Sequence, residues 1–483
     1  MLPSLVATGG FLIRDIMGKH VLRRSSADWL FWVTAAFLVL TFFTGGASRS
    51  DVLSLLLLRP VAVFALAFGL WRIHRRAISD YMFLYLMAAG ILTLAAAHLI
   101  PLPPAIWHNL PGRELAIEVD RLAGLTSVWR PLSLVPSATL NALYALLVPC
   151  AALVLVSQLE RTQRFDLLPV MIAVGVISGL LGLLQVMGSA DGPLYLYRIT
   201  NNGAAVGLFA NRNHQAVFLA CQFPMLAVYA CAGVQTVEQE RMRRWLALAT
   251  ACVLIPLILV TGSRAGLIAA LLGIGSAFFL YRRPEINIPK KRKPEKLNLR
   301  YLYVAFAIAA MGIATVFMAR GQAFERLIEG GSNDDFRIAI LGPVARAGWQ
   351  YFPFGSGIGS FAEVYQVHEP KNMLTLNFLN RAHNDWLETF MTVGLPGLLL
   401  LIIAVAGYMR CVWSNFASKD IRPRTKSFAG LGAVLILILA LASTADYPLR
   451  TPSMSCLFVL AAVWLAAAKD RPVVAKPVAG GAG

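Results

Sequence analysis

The sequence predicts an all-α, polytopic transmembrane helix bundle of about twelve spans, with a large helical loop between spans nine and ten. Three observations predict it. Of 483 residues, 58% are hydrophobic and only 14% charged, with a mean hydropathy of +0.65; a soluble chain of this length needs far more charge to cover its surface. The apolar residues come in runs of about 20, the length that crosses about 30 Å of hydrocarbon. The basic residues gather in alternate loops, as they do on the cytoplasmic side of a membrane protein.

Residues 1–28 form a basic N-terminus (Arg14, Lys19, Arg23, Arg24). The apolar run that follows, from near Trp29, has no small-residue cleavage site, so it reads as a first span and not as a removed signal peptide. Spans are expected at 29–46, 52–71, 81–100, 138–157, 167–187, 214–233, 245–261, 263–281, 301–319, 384–409, 428–445 and 454–468. Arg59-Pro60 interrupts the second; proline is tolerated in a membrane helix where neighbours satisfy the freed backbone.

Orientation follows from the loops. The two tails and the loops at Arg72–Arg76, Arg161–Arg164, Arg241–Arg244, Arg282–Arg300 and Arg410–Lys426 hold 28 of the 43 basic residues. These segments are expected in the cytoplasm, with both termini inside. That assignment accounts for the net charge of +18 without a nucleic-acid partner. The membrane domain then covers 29–468, with a basic cytoplasmic loop at 282–300 and a cytoplasmic tail at 469–483. The other side carries the longer segments 101–137, 188–213 and 320–383. The last holds Trp349, Tyr351, Phe352, Phe354, Phe361 and Tyr365, too aromatic for a disordered linker, and is expected to fold as short helices over the mouth of the bundle.

Six cysteines (150, 221, 231, 252, 411 and 456) lie in or beside apolar runs without CxxC or Cys/His spacing, and read as small core residues. There is no HExxH, no outer Asp-x-Asp and no nucleotide-binding motif, so no metal and no cofactor is expected. Asp334 and Asp335 are adjacent and would point apart in a strand or a helix.

Four patches on the outer side carry the polar chemistry. Gly207-Leu-Phe-Ala-Asn211-Arg212-Asn213-His214-Gln215 enters span six. Thr261-Gly-Ser-Arg264-Ala-Gly266 turns between spans seven and eight. Asp334-Asp-Phe-Arg337 precedes Trp349 and the glycine run Gly355-Ser-Gly-Ile-Gly359. Arg381-Ala-His383-Asn384-Asp385-Trp386-Leu-Glu388 enters span ten, ahead of Gly394-Leu-Pro-Gly397.

Each has a plain reading beside the functional one. Arg264 sits between two apolar runs almost without a loop. It either snorkels to headgroups or takes a partner or ligand, and a cation on this side runs against the positive-inside trend. His383 and His214 either hydrogen-bond structurally or act in acid–base work, His383 with Asn384, Asp385 and Glu388 one turn away. Arg337 either pairs with the preceding acids or binds phosphate through its planar fork. The 355–359 run lacks the Gly-Lys-Ser/Thr ending of a phosphate-binding loop and reads as a close-packing turn.

Taken in order, the motifs Phe209-Ala-Asn-Arg-Asn-His214, Ser263-Arg264-Ala-Gly, Arg337 ahead of Pro353-Phe-Gly-Ser-Gly-Ile-Gly359, and His383-Asn-Asp-Trp-Leu-Glu388 with Gly394-Leu-Pro-Gly397 resemble the O-antigen ligase and O-antigen or exopolysaccharide polymerase family of membrane glycosyltransferases. The resemblance is strongest over 200–410. It implies a GT-C-like bundle in the bacterial inner membrane. The implied reaction moves a glycan from a polyprenyl diphosphate (undecaprenyl diphosphate) carrier to an acceptor hydroxyl on the periplasmic face. The acceptor is a glycan or lipid A–core, in lipopolysaccharide or other surface-polysaccharide biosynthesis, or, in a third branch of the family, a protein.

Carried over by motif, Arg264 and Arg337 hold the diphosphate and His383 orients or deprotonates the acceptor hydroxyl. Arg212, His214, Asn211, Asn213, Arg381, Asn384 and Glu388 line the substrates. Arg346 competes with Arg337 for the family's loop arginine before a tryptophan, and Trp386 replaces a tyrosine common in the family. The competing class is a lipid-linked sugar flippase or another polytopic transporter. That class places polar groups near the midplane on broken helices, whereas the polar patches here gather at span ends.

Overall fold

A computed structural model of the protein describes residues 29–282, 337–374, 378–418 and 421–466. The span expected at 301–319, both tails, most of the basic loop at 282–300 and the acids Asp334 and Asp335 lie outside the described residues. Eleven helical segments coincide with the other expected spans. They are α1 (Trp29–Thr44), α2 (Leu55–Trp71), α4 (Met82–Ala97), α7 (Pro136–Gln158), α8 (Arg161–Met187), α9 with α10 (Arg212–Ala220 and Gln222–Cys231), α11 (Val237–Val260), α12 (Arg264–Leu280), α15 (Asp385–Ala417), α16 (Pro423–Ala442) and α17 (Pro452–Ala466). Among them six are long and apolar enough to cross a membrane: α7, α8, α9–α10, α11, α15 and α16. The rest are apolar but shorter. Pro60 does not end α2, which runs through it, and the short α3 (Arg75–Asp80) leads into α4.

The helices bury one continuous core. α16 packs on α17, α17 on α7, α7 on α2, and α12 on α9, α10 and α16. Phe42, Phe209, Phe218, Leu155, Leu435 and Trp464 are fully enclosed there. Small residues let α9 and α12 approach closely, because a Cβ on Gly266 would lie 2.2 Å from that of Ala216. The outward surface is apolar as well: Leu56, Phe64, Phe278, Phe279 and Trp413 are three-quarters exposed or more. Such a surface suits hydrocarbon and not water.

The segment between α4 and α7 folds over one end of the bundle. It holds α5 (Pro104–Trp107), α6 (Glu114–Leu122) and a short antiparallel pair, β1 (Pro101–Leu102) with β2 (Arg130–Pro131). Against it sit α13 (Leu341–Gln350) and α14 (Phe361–His368), the short helices expected in the long loop, around a small core of Val344, Tyr351, Phe361, Tyr365 and Met391. Arg113 joins the two segments. It is fully buried, donates to Leu132 O at 2.7 Å and Gly355 O at 3.3 Å, and lies over the Trp107 and Tyr351 rings. His98 Nδ1 accepts from Ile358 N at 3.1 Å.

α15 bends at Gly394, which has φ +63° and ψ −146°, a region open essentially to glycine. A Cβ there would meet Pro353 O at 2.1 Å, while Leu395 N donates to that carbonyl at 2.8 Å. The bend locks the site-bearing start of α15 to the α13–α14 segment.

Candidate functional site

Three chain segments meet at the covered end of the bundle. The first is fixed by Gln185, buried at the end of α8. Its Oε1 accepts from Val206 N at 3.1 Å and Gly207 N at 2.7 Å, and its Nε2 donates to Gly207 O at 2.9 Å. Gly207 has φ +56°, and a Cβ would strike Ser178 O at 2.4 Å, so only glycine turns here. Asn211 then caps α9, its side chain accepting from Asn213 N at 2.8 Å. His214 follows on the buried first turn, 1% exposed.

The second segment is Arg381–Glu388. Asn384 caps α15 by accepting from Leu387 N at 3.0 Å, and its Nδ2 donates to Thr444 O at 3.0 Å. His383, just ahead, has φ +51°, the only positive φ outside glycine among the described residues. A non-glycine residue held there costs on the order of 1 kcal/mol, and such strain clusters at functional sites. The third segment joins α16 to α17 and holds Asp446, Tyr447 and Arg450.

Asp446 is the hub. Its carboxylate is 2% exposed. Oδ2 accepts from Asn213 Nδ2 at 2.7 Å and Asn211 Nδ2 at 3.3 Å. Oδ1 accepts from Tyr447 N at 3.0 Å and lies 3.3 Å from His383 Nδ1. His214 Nε2 is 3.7 Å from the same oxygen, a charge contact and not a hydrogen bond. The Tyr447 ring stands between the two imidazoles, 5.1 Å from His214 and 5.0 Å from His383. Burial pushes the Asp446 carboxyl up, but His383 and His214 outweigh it and hold the group well below the usual carboxylate range. Burial, then the Asp446 charge, push the Tyr447 phenol upward against Arg381 and Arg337, so it stays neutral.

A second network lies one turn along α15. Glu388, fully enclosed, accepts from Arg381 Nη1 at 3.0 Å and Ala382 N at 3.1 Å, and lies 3.4 Å from Arg450 Nη2. Arg450 Nε donates to Asp385 Oδ1 at 2.8 Å, and Ser443 Oγ donates to Asp385 Oδ2 at 3.1 Å. Burial works against the Arg450 charge, but Glu388 and Asp385 more than offset it and raise its pKa. Arg381 Nη2 also reaches Ser48 O at 3.4 Å.

The structure thus gathers His383, His214, Asn211 and Asn213 around one carboxylate. It joins Arg381 and Glu388 in a neighbouring ion network, and gives Asn384 a capping task. The carboxylate facing His383 is Asp446, not the adjacent Asp385 or Glu388. Arg212 and Arg264 begin α9 and α12, which pack together and approach closely where Gly266 meets Ala216. Arg337 acts electrostatically on Tyr447, whereas Arg346 acts on Tyr365. Sequence reasoning missed Asp446, Tyr447 and Arg450. The available signal was Asp446 itself, the sole acidic residue from 421 to 469, between two apolar runs. Among the described residues no group of three or more His, Cys, Asp or Glu is placed to hold a metal ion.

A multi-pass helical membrane protein with a histidine–carboxylate centre and several arginines at one end of its bundle is the class this geometry defines. Residues 246–402 match the model of the O-antigen ligase family. The matched stretch includes Arg264, Arg337, Arg381, His383 and Glu388. No curated protein matches the chain. The family is one of ligase- and polymerase-type membrane enzymes; it implies glycosyltransferase-like activity, with a lipid-linked glycan donor and an acceptor in a membrane.

Proposed function

We propose that the protein is an inner-membrane glycosyltransferase. It moves a glycan from a polyprenyl diphosphate to an acceptor hydroxyl on the periplasmic face, without a metal. The observation that carries this reading is the His383–Asp446 pair. A carboxylate accepts only, so Asp446 selects the tautomer with its proton on His383 Nδ1. That leaves the Nε2 lone pair free to accept a proton, with no hydrogen bond to it among the described residues. The acceptor O–H gives its proton to Nε2 as its oxygen bonds to the anomeric carbon. The bond from that carbon to the diphosphate breaks, and the electron pair leaves with the diphosphate. Asp446 stabilises the imidazolium formed.

Charge accumulates on the leaving diphosphate, where preorganised arginines lower the barrier. Arg264 and Arg337 fill this role. The packing of α9 on α12 near their starts, at Ala216 and Gly266, supports Arg264 by adding helix N-termini that favour an anion. The charge of Arg337 at Tyr447 favours it over Arg346. Arg212, His214, Asn211, Asn213 and Arg381 border the acceptor side, and Asn384 and Glu388 hold that border in shape. The same reading keeps about twelve spans in a GT-C-like bundle over 29–468, both termini and the 282–300 loop in the cytoplasm, and 320–383 in the periplasm.

Purified protein in nanodiscs, given a polyprenyl-diphosphate glycan and acceptors with EDTA present, is expected to consume the donor. Arg264→Ala and His383→Ala are expected to stop it. A ladder of products marks a polymerase and a single addition a ligase. Movement of the lipid-linked glycan across the bilayer without transfer would replace this reading with a flippase.

A further inference from the structure

A cavity of about 1190 Å³ opens beside the site and runs along the bundle between α2, α4, α7, α15, α16 and α17. No residue of α9 or α12 lines it, so it is separate from Arg212 and Arg264. At the site end its wall includes Arg49, Arg381, Arg450 and Asp385; at the far end it reaches Tyr81 and Cys411. Between Asp385 and Cys411 the helical rise spans on the order of 39 Å, more than the roughly 30 Å hydrocarbon core of a bilayer. The walls between are mostly aliphatic.

Among the described residues, one cation in this groove has no counter-ion. Arg49 pairs with Asp51 at 2.9 Å, Arg381 with Glu388 at 3.0 Å and Arg450 with Asp385 at 2.8 Å. Arg59, in the second turn of α2, donates to Asn141 Oδ1 on α7, yet its Nε is buried without a hydrogen-bond partner. No carboxylate pairs with it among the described residues. A cation inside a membrane helix without a counter-ion is costly and marks a ligand path. Asn141 also lines the groove, with Nδ2 available as a donor, and Ser137 adds a hydroxyl one turn away.

We propose that this groove is a second lipid site, occupied by a polyprenyl-type lipid whose phosphate is held by Arg59 and Asn141. The length of the groove selects the chain: a phospholipid acyl tail fills one leaflet, about half the core, whereas this channel continues to the opposite end. The phosphate sits at the depth of the second turns of α2 and α7, near the site end of the groove. This rests on the proposed reaction, in which Arg264 and Arg337 hold the donor's diphosphate. The lipid in the groove is then the acceptor, its glycan led past Arg381 towards His383. An acceptor on a polyprenyl chain is the requirement of chain polymerisation, not of capping a lipid A–core.

Native mass spectrometry of the full chain with polyprenyl phosphate lacking any glycan tests the groove without requiring transfer. Wild type is expected to carry a second bound copy that phosphatidylglycerol in excess does not displace. Arg59→Gln is expected to weaken that second binding by about tenfold or more, the scale of a charge-assisted hydrogen bond, while the first copy stays. Arg59→Lys is expected to restore most of it. Ala404→Trp, which fills the groove from α15, is expected to exclude the second copy with Arg59 intact. Equal binding by wild type, Arg59→Gln and Ala404→Trp overturns the proposal, and so does ready displacement by phosphatidylglycerol. Loss of transfer with the second copy retained would count against the reaction and leave the groove standing.

Discussion

Replacing Asp446 by asparagine keeps the side-chain size and removes one charge from the centre of the site. The carboxylate oxygen lies 3.3 Å from His383 Nδ1 in surroundings where Asp446 is 2% exposed. At an effective dielectric constant near 20, a unit charge at that distance stabilises an imidazolium by about 5 kcal/mol. The asparagine dipole restores part of that, so a loss of about 3–4 kcal/mol remains, or roughly 10²–10³ in kcat. The effect belongs in kcat, because the proton reaches His383 only as the reaction proceeds, and KM should change little. Initial rates of transfer from a polyprenyl-diphosphate glycan, measured against donor and acceptor concentration, separate the two. Because the Asp446 carboxyl sits well below 3.8, the acid limb of the wild-type rate profile belongs to other groups. Thermal unfolding of the variant checks that the hub still folds. A folded Asp446→Asn enzyme with kcat within a few-fold of wild type, where His383→Ala is inactive, would refute the base-and-orienter argument.

Three further outcomes follow from the geometry. Glu388→Gln removes the carboxylate shared by Arg381 and Arg450 in a fully enclosed position; it should destabilise the protein by about 3–5 kcal/mol, read as a lower unfolding temperature in detergent. Arg337→Ala should slow transfer by more than tenfold and Arg346→Ala by less than threefold, roughly the difference between a charge stabilising the leaving group and one outside the site; equal effects would reverse the choice of loop arginine. His98 is pushed down from 6.5 to about 4 by burial and then by the Arg113 charge. The unfolded chain therefore takes up this proton below pH 6.5 while the folded chain resists until about pH 4, so the His98 contribution is intact above 6.5 and lost on acidification. Stability should fall by up to ~3 kcal/mol across that window, and His98→Asn, which can still accept from Ile358 N, should flatten this part of the profile.

The helices were readable because each apolar run states its own length and each basic loop its end. The 211–214 and 381–388 patches were readable for a similar reason: polar side chains crowded at the mouth of a span need an explanation within a few residues. Asp446 gave a weaker sign, its isolation between two apolar runs. Its partners lie 63 and 233 positions away, and a lone aspartate in a short connection looks like any turn residue. Arg450 was hidden the same way, its partners Asp385 and Glu388 belonging to a helix that looked complete in itself. Arg59 was visible but read as an interruption of α2 beside Pro60. Its meaning depends on the groove, which exists only once α2, α4, α7 and α15 are assembled. Pro60 itself misled less than expected, since the helix carries through it.

The hub at Asp446 also has a consequence for the nascent chain. Its donors come from the start of α9, the approach to α15 and the connection before α17, so the last helical hairpin brings the carboxylate only after the other two segments are in place. Until then the His383 ring has neither a chosen tautomer nor a counter-charge. On the proposed mechanism the site gains its base only when the connection between α16 and α17 meets the two earlier segments, so the order of synthesis acts as an assembly checkpoint.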